Sequence, residues 1–161
     1  MKNRLTGFAF FLALLLVLGF LWGCSPATQR TTASPMEITD QLGRTVKLDK
    51  VPQRIISLAP SNTEVLFALG LADRIVAVTD YCDYPPEAKQ KPKIGGFSNP
   101  NIESIIALSP DLILAASIHE KGVIPQLEEK ELTVFALTPK TMDEIQQAIT
   151  LVGSITGKEK E

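Results

Sequence analysis

Short apolar runs alternate with segments of helical period over most of the chain after residue 50. The runs stand at residues 54–58, 74–78, 112–116 and 133–137, with a shorter one at 93–97. Their apolar positions are mostly consecutive rather than alternating, which is typical of strands buried on both faces of a parallel sheet. Strands separated by helices predict an α/β fold, a single Rossmann-like lobe whose mostly parallel sheet is covered by helices on both faces.

Polar residues at three points have the pattern of helix caps. Ser61 and Glu64 form one capping-box pattern, and Thr141 and Glu144 form a second. Asn101 can cap a helix in which isoleucines recur at helical spacing. We therefore expect a helix to begin at each of these positions.

Residues 1–23 have the layout of a secretory signal. Lys2 and Arg4 precede an unbroken apolar run at 8–18, which is shorter than the roughly 20 residues that a membrane-spanning helix prefers. The sequence LWGC at 21–24 resembles a bacterial lipobox, in which Cys24 is lipidated and becomes the mature N-terminus. The alternative is an uncleaved anchor helix with an incidental cysteine. Both interpretations place the remaining chain outside the cytoplasm, held at the cell membrane.

The chain after the signal divides into a tether and a lobe. Residues 24–35 are rich in Ser, Thr and Pro, which predicts a flexible tether. Residues 36–48 contain two β-prone segments around a turn with a glycine, which predicts a β-hairpin in front of the lobe. The predicted folded part therefore spans residues 36–161.

Composition limits the class of protein. The chain has 161 residues, of which 45% are hydrophobic and 21% charged, and these proportions exclude a disordered chain and a multi-span membrane protein. The net charge of −2 offers no basic face for nucleic acid.

Catalytic motifs are missing from the sequence. It contains no G-x-x-x-x-G-K-[ST] loop and no G-x-S-x-G elbow. His119 is the single histidine, so a catalytic metal has little support, and we interpret His119 as a solvent-facing residue at a helix start.

Cys82 is interpreted as a small residue in a loop, with a reactive thiol or a metal ligand as the alternatives. We therefore expect neither an enzyme nor a resident cofactor.

Aromatic residues cluster in two loops that follow predicted strands. Tyr81, Asp83 and Tyr84 stand in the loop at 79–86, and Phe97 stands in the next. Ligands of parallel sheets bind outside the carboxyl ends of the strands. Aromatic side chains present flat apolar faces with polar tips, which suit a large planar ligand. The alternative is that these rings pack the rim of the lobe itself.

Four stretches together resemble one protein family. They are RIISLAPSNTE at 54–64, YCDYPP at 81–86, NIESI at 101–105 and LSPDLI at 108–113. With them the chain from 52 to 156 resembles the periplasmic iron-siderophore and vitamin B12 binding proteins of ABC importers. The Y-x-D-Y-P-P form is most similar to the cobalamin binders.

The resemblance implies roles for particular residues. Tyr81 matches an aromatic that contacts the corrin ligand, in the segment that also carries Asp83 and Tyr84. Phe97 stands where cobalamin binders can carry a tryptophan, and Pro60 lies in the first ligand-facing loop. Glu103 matches a carboxylate that docks on the permease; read alone, it is an acid favoured by the dipole of a helix N-terminus. The implied partners are the permease with its ATPase, and cobalamin or a ferric chelate as transported ligand.

Family members have two lobes and are roughly twice this length, so the resemblance covers the N-terminal lobe only. We expect a fragment or a single lobe with altered use, and both interpretations stay open. Two other functions remain: a lobe that docks on a permease without carrying a ligand, and a chelatase-like enzyme.

Overall fold

The computed structural model describes residues 35–159. The predicted signal at 1–23, the lipidation site Cys24 and the tether up to residue 34 lie outside the described residues. The strands are β1 (Met36–Thr39), β2 (Thr45–Leu48), β3 (Ile55–Ser57), β4 (Ile75–Val78), β5 (Leu112–Ala115) and β6 (Val134–Ala136). The α-helices are α1 (Pro60–Ala68), α2 (Ile102–Ala107), α3 (Val123–Glu129) and α4 (Met142–Thr156). None of the helices in this range is long and apolar enough to span a membrane.

Four strands form a parallel sheet in the order β4-β3-β5-β6. Ile55 of β3 stands opposite Ile75 of β4 on one side and Leu112 of β5 on the other. Every residue of β3, β5 and β6 is buried. The predicted parallel α/β lobe is thus confirmed, and so is the hairpin, which β1 and β2 form as an antiparallel pair.

Each face of the sheet has its own apolar layer. The layer under α1, α4 and the hairpin includes Val46, Ile55, Leu66, Leu112, Phe135 and Val152. The layer under α2 and α3 includes Ile56, Ile105, Ile113, Leu127 and Ala136. Consecutive residues of β3, β5 and β6 alternate between the two layers, as the pleat of a strand requires.

Two of the three predicted helix caps are confirmed. The Asn101 side chain accepts a hydrogen bond from the Ser104 amide at 2.9 Å. Thr141 accepts from the Glu144 amide at 3.2 Å, and the Glu144 carboxylate accepts from the Thr141 amide, which completes a capping box.

The capping box predicted at Ser61 and Glu64 is wrong. Helix α1 begins two residues earlier than predicted, with Ala59 rather than Ser61 as the cap residue and Pro60 in its first turn, and no side chain caps it. Proline suits the first helical position because its φ is already helical and its missing N–H needs no acceptor. Ser61 therefore lies inside the first turn and is exposed.

A buried carboxylate joins the hairpin to the sheet. The side chain of Asp40 has no solvent exposure. It accepts hydrogen bonds from the amides of Leu42 and Arg44 within the turn, and from the Arg44 guanidinium. It also accepts from the Ala136 amide of β6 at 3.1 Å. One carboxylate thus fixes the turn and attaches it to the strand.

Neighbouring groups reinforce the attachment. The Gln41 amide donates to the Ala136 carbonyl at 3.1 Å, and the Gln41 side chain accepts from the Thr138 amide at 2.8 Å. The Arg44 guanidinium also donates to the Val134 carbonyl and pairs with Glu128 of α3. The hairpin turn is therefore part of the lobe rather than an appendage.

Replacing Asp40 should destabilise the fold. We expect Asp40→Ala to lower the free energy of unfolding by about 3 kcal/mol, because it leaves a part-buried Arg44 and the Ala136 amide without their partner. Urea unfolding followed by circular dichroism measures this change.

The matched control is Glu37→Ala. Glu37 pairs with Lys47 across the same hairpin, but both side chains are exposed. Removing this exposed pair should leave the free energy of unfolding nearly unchanged. Equal losses in the two variants would contradict the structural role assigned to the Asp40 carboxylate.

Candidate functional site

The carboxyl ends of the four parallel strands face the same end of the sheet, and four loops leave from there. They follow β3 at 58–59, β4 at 79–85, β5 at 116–122 and β6 at 137–141. A fifth segment joins them, because Lys93 forms a parallel bridge with Val78 of β4 and the chain then continues to Phe97. Such loop clusters are the usual ligand sites of open parallel sheets.

The loop after β4 presents its aromatic rings to solvent. Tyr81 and Tyr84 are 65% and 64% exposed, and Asp83 between them is also exposed. Cys82 points the other way and is buried, as expected for a small residue in a loop. The alternative in which these rings pack the rim of the lobe does not fit the exposure of the two tyrosines, whereas the partly buried Phe97 ring does pack within the lobe, against His119. Their part in ligand binding stays a prediction.

Two buried threonine hydroxyls contact the thiol of Cys82. Its Sγ lies 3.1 Å from Oγ1 of Thr63 and 3.2 Å from Oγ1 of Thr79. The Thr63 hydroxyl also lies 2.8 Å from Oγ of Ser57, at the end of β3. The centre of the tyrosine loop is thus fixed to α1 and to β3.

The ammonium group of Lys93 holds the same loop from the side. It donates to the carbonyl of Cys82 at 2.9 Å, and at longer distances to those of Thr79 and Ala88. Sequence reasoning missed this role. A lysine in a charged segment gives no local signal that its partners are backbone carbonyls elsewhere.

Pro60 lies at the same end of the sheet, in the first turn of α1, and is partly buried. Two residues later, the buried Asn62 donates to the carbonyl of Ala115 at 3.0 Å. This bond ties the start of α1 to the carboxyl end of β5. The position of Pro60 is therefore set by the sheet rather than by a free loop.

His119 is not solvent-facing, as the sequence led us to expect, but completely buried. Its Nδ1 accepts from the Ala116 amide at 2.9 Å, and its Nε2 donates to the Phe97 carbonyl at 2.6 Å. The rings of Phe97 and His119 meet edge to face, with centroids 5.4 Å apart. Burial lowers the pKa of His119, although the Phe97 carbonyl opposes this shift. The expectation failed because both hydrogen-bond partners are backbone groups, one of them in another loop.

Glu103 is exposed in the first turn of α2, just after the Phe97 segment. The Asn101 cap fixes the turn that carries it. Among the salt bridges of residues 35–159, none involves Glu103. The structure thus places the carboxylate where another molecule can reach it.

A groove of about 800 Å³ lies beside Tyr84. Its apolar side is formed by Phe67 and Ala68 of α1 and by Pro85, and its polar side carries three carboxylates and one lysine. The polar lining residues are Glu64, Asp73, Glu87, Gln90 and Lys91. Of the predicted ligand residues it includes Tyr84 alone. In the described part of the chain, no group of three or more His, Cys, Asp or Glu side chains could hold a metal ion.

Comparison with known proteins identifies the family. Residues 55–161 match the family model described as periplasmic binding protein. The chain belongs to the periplasmic binding protein family. This is a family of solute-binding proteins of ABC transporters rather than of enzymes.

Curated relatives agree with this assignment. The chain is 38% identical over 163 residues to the uncharacterized ABC transporter substrate-binding lipoprotein YvrC of Bacillus subtilis, covering 92% of this chain and 51% of YvrC. It is 39% identical over 100 residues to the vitamin B12-binding protein of Pectobacterium atrosepticum, covering 62% of this chain and 36% of that protein. The chain therefore spans about half the length of the first relative and about a third of the second.

Solved structures share the fold. The periplasmic vitamin B12 binding protein BtuF of Vibrio cholerae superimposes with a TM-score of 0.56 at 34% identity, covering 68% of this chain and 46% of that chain. The siderophore binding protein BauB, bound to acinetobactin and ferric iron, superimposes with a TM-score of 0.68 at 25% identity, covering 78% and 47%. The expected membership of the siderophore and vitamin B12 binding family is confirmed.

Proposed function

We propose that this chain acts in an ABC importer as its solute-binding component, capturing a corrinoid such as cobalamin and delivering it to the permease. The observation that carries the proposal is the pair of exposed tyrosines on a loop whose backbone is held by Lys93 and Cys82. A rigid aromatic surface loses little conformational entropy when a flat ligand covers it. Pro60, Asp83 and Phe97 complete the proposed ligand-facing set.

The charges near the tyrosines favour a corrinoid over a ferric chelate. Asp80 and Asp83 are exposed in the tyrosine loop. The Lys93 ammonium next to it is already bonded to carbonyl oxygens. A ferric catecholate is anionic and would need free cations, because like charges raise the free energy of binding. The corrin ring instead needs apolar contact and hydrogen-bond partners.

Glu103 is the residue that we propose for docking on the permease, which works with its ATPase. The Asn101 cap fixes the backbone of the helix turn that carries this exposed carboxylate, and none of the salt bridges among residues 35–159 involves it. Complementary charge across an interface raises the association rate and fixes the register of the partners.

We further propose that the protein is extracytoplasmic and anchored to the bacterial cell membrane through lipid on Cys24. The signal layout supports this, and the similar Bacillus protein is named a lipoprotein. The anchor and the tether at 24–35 would keep the lobe near its importer.

Removing the aromatic ring at Tyr81 should weaken cobalamin binding. We expect Tyr81→Ala to raise the dissociation constant for cyanocobalamin about tenfold or more, because the flat contact face is lost. Isothermal calorimetry with cyanocobalamin, and in parallel with a ferric tris-catecholate, measures the effect and the preference. The control Val51→Ala shortens an exposed side chain before β3, at the opposite end of the sheet. Unchanged affinity in Tyr81→Ala would contradict the proposed ligand surface.

Reversing the charge at Glu103 should weaken docking. We expect Glu103→Arg to lower the affinity for the importer in proteoliposomes about tenfold, with the unfolding midpoint unchanged. The matched control is Glu129→Arg, which reverses another exposed glutamate at the far end of α3. If both variants dock like the unaltered protein, Glu103 serves only the helix dipole.

Replacing Cys24 should abolish lipidation. Cells supplied with labelled fatty acid should label the unaltered protein and not Cys24→Ser. Cys82→Ser provides the matched control, because that thiol is buried within the lobe and should leave labelling unchanged. Equal labelling of Cys24→Ser and the unaltered protein would overturn the lipid anchor.

A further inference from the structure

His119 connects two segments at the carboxyl end of the sheet that are far apart in the chain. Its Nδ1 is satisfied within its own turn by the Ala116 amide, and its Nε2 crosses to the Phe97 carbonyl. The ring also contacts the Phe97 ring edge to face. The proposed function uses Phe97 but assigns no task to the histidine.

The two hydrogen bonds define one form of the ring. An amide that donates to Nδ1 requires this nitrogen to be unprotonated, and a carbonyl that accepts from Nε2 requires a proton there. The side chain is therefore the neutral Nε2–H tautomer, which burial also favours. Because both partners are backbone groups, the ring sets the separation of the two main-chain segments.

Ile118 lies on the outer side of the same turn. It precedes His119 in the 3-10 turn Ser117–His119 and is 52% exposed, although isoleucine is among the residues most often buried. The turn thus has one fully buried residue that fixes it and one apolar residue that it presents to solvent. It leaves from the carboxyl end of β5, an inner strand of the sheet, at the end where the proposed function places the ligand.

We propose that His119 is a positioning residue that holds Phe97 and Ile118 as two apolar contacts of one ligand surface. This proposal rests on the proposed function, because it adds Ile118 as a ligand contact in the same site and His119 as the residue that positions it. His119 itself does not touch the ligand, because it is fully buried. Ile118 adds an aliphatic contact to the aromatic contacts of Tyr81 and Phe97.

Two amide substitutions separate the two hydrogen bonds of the ring. In His119→Gln the terminal amide reaches the place of Nε2 and can still donate to the Phe97 carbonyl. In His119→Asn the shorter amide reaches the place of Nδ1 and can accept only from the Ala116 amide. The bond between segments survives in the first variant and the bond within the turn survives in the second.

The expected result is an unequal loss of affinity for cyanocobalamin. His119→Asn should raise the dissociation constant about tenfold, and His119→Gln should stay within about threefold of the unaltered protein. Ile118→Ala should weaken binding about fivefold because an apolar contact is lost. Ile106→Ala is the matched control, since Ile106 is another exposed isoleucine near the end of α2, at the opposite end of the sheet.

Backbone order parameters from NMR test the positioning without any ligand. They should fall at residues 96–98 in His119→Asn and stay unchanged in His119→Gln. Equal order parameters in both variants, or equal losses of affinity, would overturn the proposal. A histidine that only stabilises the fold would respond to the two substitutions in the same way. If the unaltered protein binds no cyanocobalamin, the proposed function fails for that ligand, and the order parameters still decide the role of His119.

Discussion

Every residue of β3, β5 and β6 is buried, and this constraint governs the rest of the lobe. A strand covered on both faces can carry almost no polar side chains, because a buried polar group without a partner costs free energy. The chemistry of the protein is therefore confined to the loops at the strand ends. These loops place only a few residues in the apolar layers, among them Cys82 and Ile94, and they have further support.

That support comes from side chains that bind backbone groups of a neighbouring segment. Asp40 accepts from the Ala136 amide, Lys93 donates to the Cys82 carbonyl, and His119 donates to the Phe97 carbonyl. A bond to the backbone fixes the path of the chain and leaves neighbouring side chains free. Tyr81 and Ile118 can therefore stay exposed on segments that are nevertheless held in place.

The sequence predicted most of the fold because its signals are local. Consecutive apolar residues mark the strands, and the spacing from Thr141 to Glu144 specifies a capping box that needs no distant partner. The capping pattern at Ser61 failed because Pro60, one residue earlier, is a stronger start for a helix. Local patterns thus predict helices and strands well. Where two helix-start signals compete, the stronger of them decides the residue at which the helix begins.

The candidate site was less predictable because its support is not local. The aromatic residues at 81, 84 and 97 could be named from composition and position in the loops. The support from Lys93 and His119 could not, since a side chain that binds a distant carbonyl leaves no pattern in the sequence. The sequence led us to expect a solvent-facing His119, and no local pattern indicated that it is buried against two backbone groups.

The attachment of the hairpin has a consequence for solubility. The outer side of β6 would otherwise offer free amides and carbonyls to a strand from another molecule. The Asp40 carboxylate, the Gln41 amide and the Arg44 guanidinium occupy these groups at Ala136 and Val134. On the opposite side, the segment at 92–94 forms two backbone hydrogen bonds with Val78 of β4. Both edge strands of the sheet are thus partly covered, which leaves fewer free backbone groups for strand addition by another molecule.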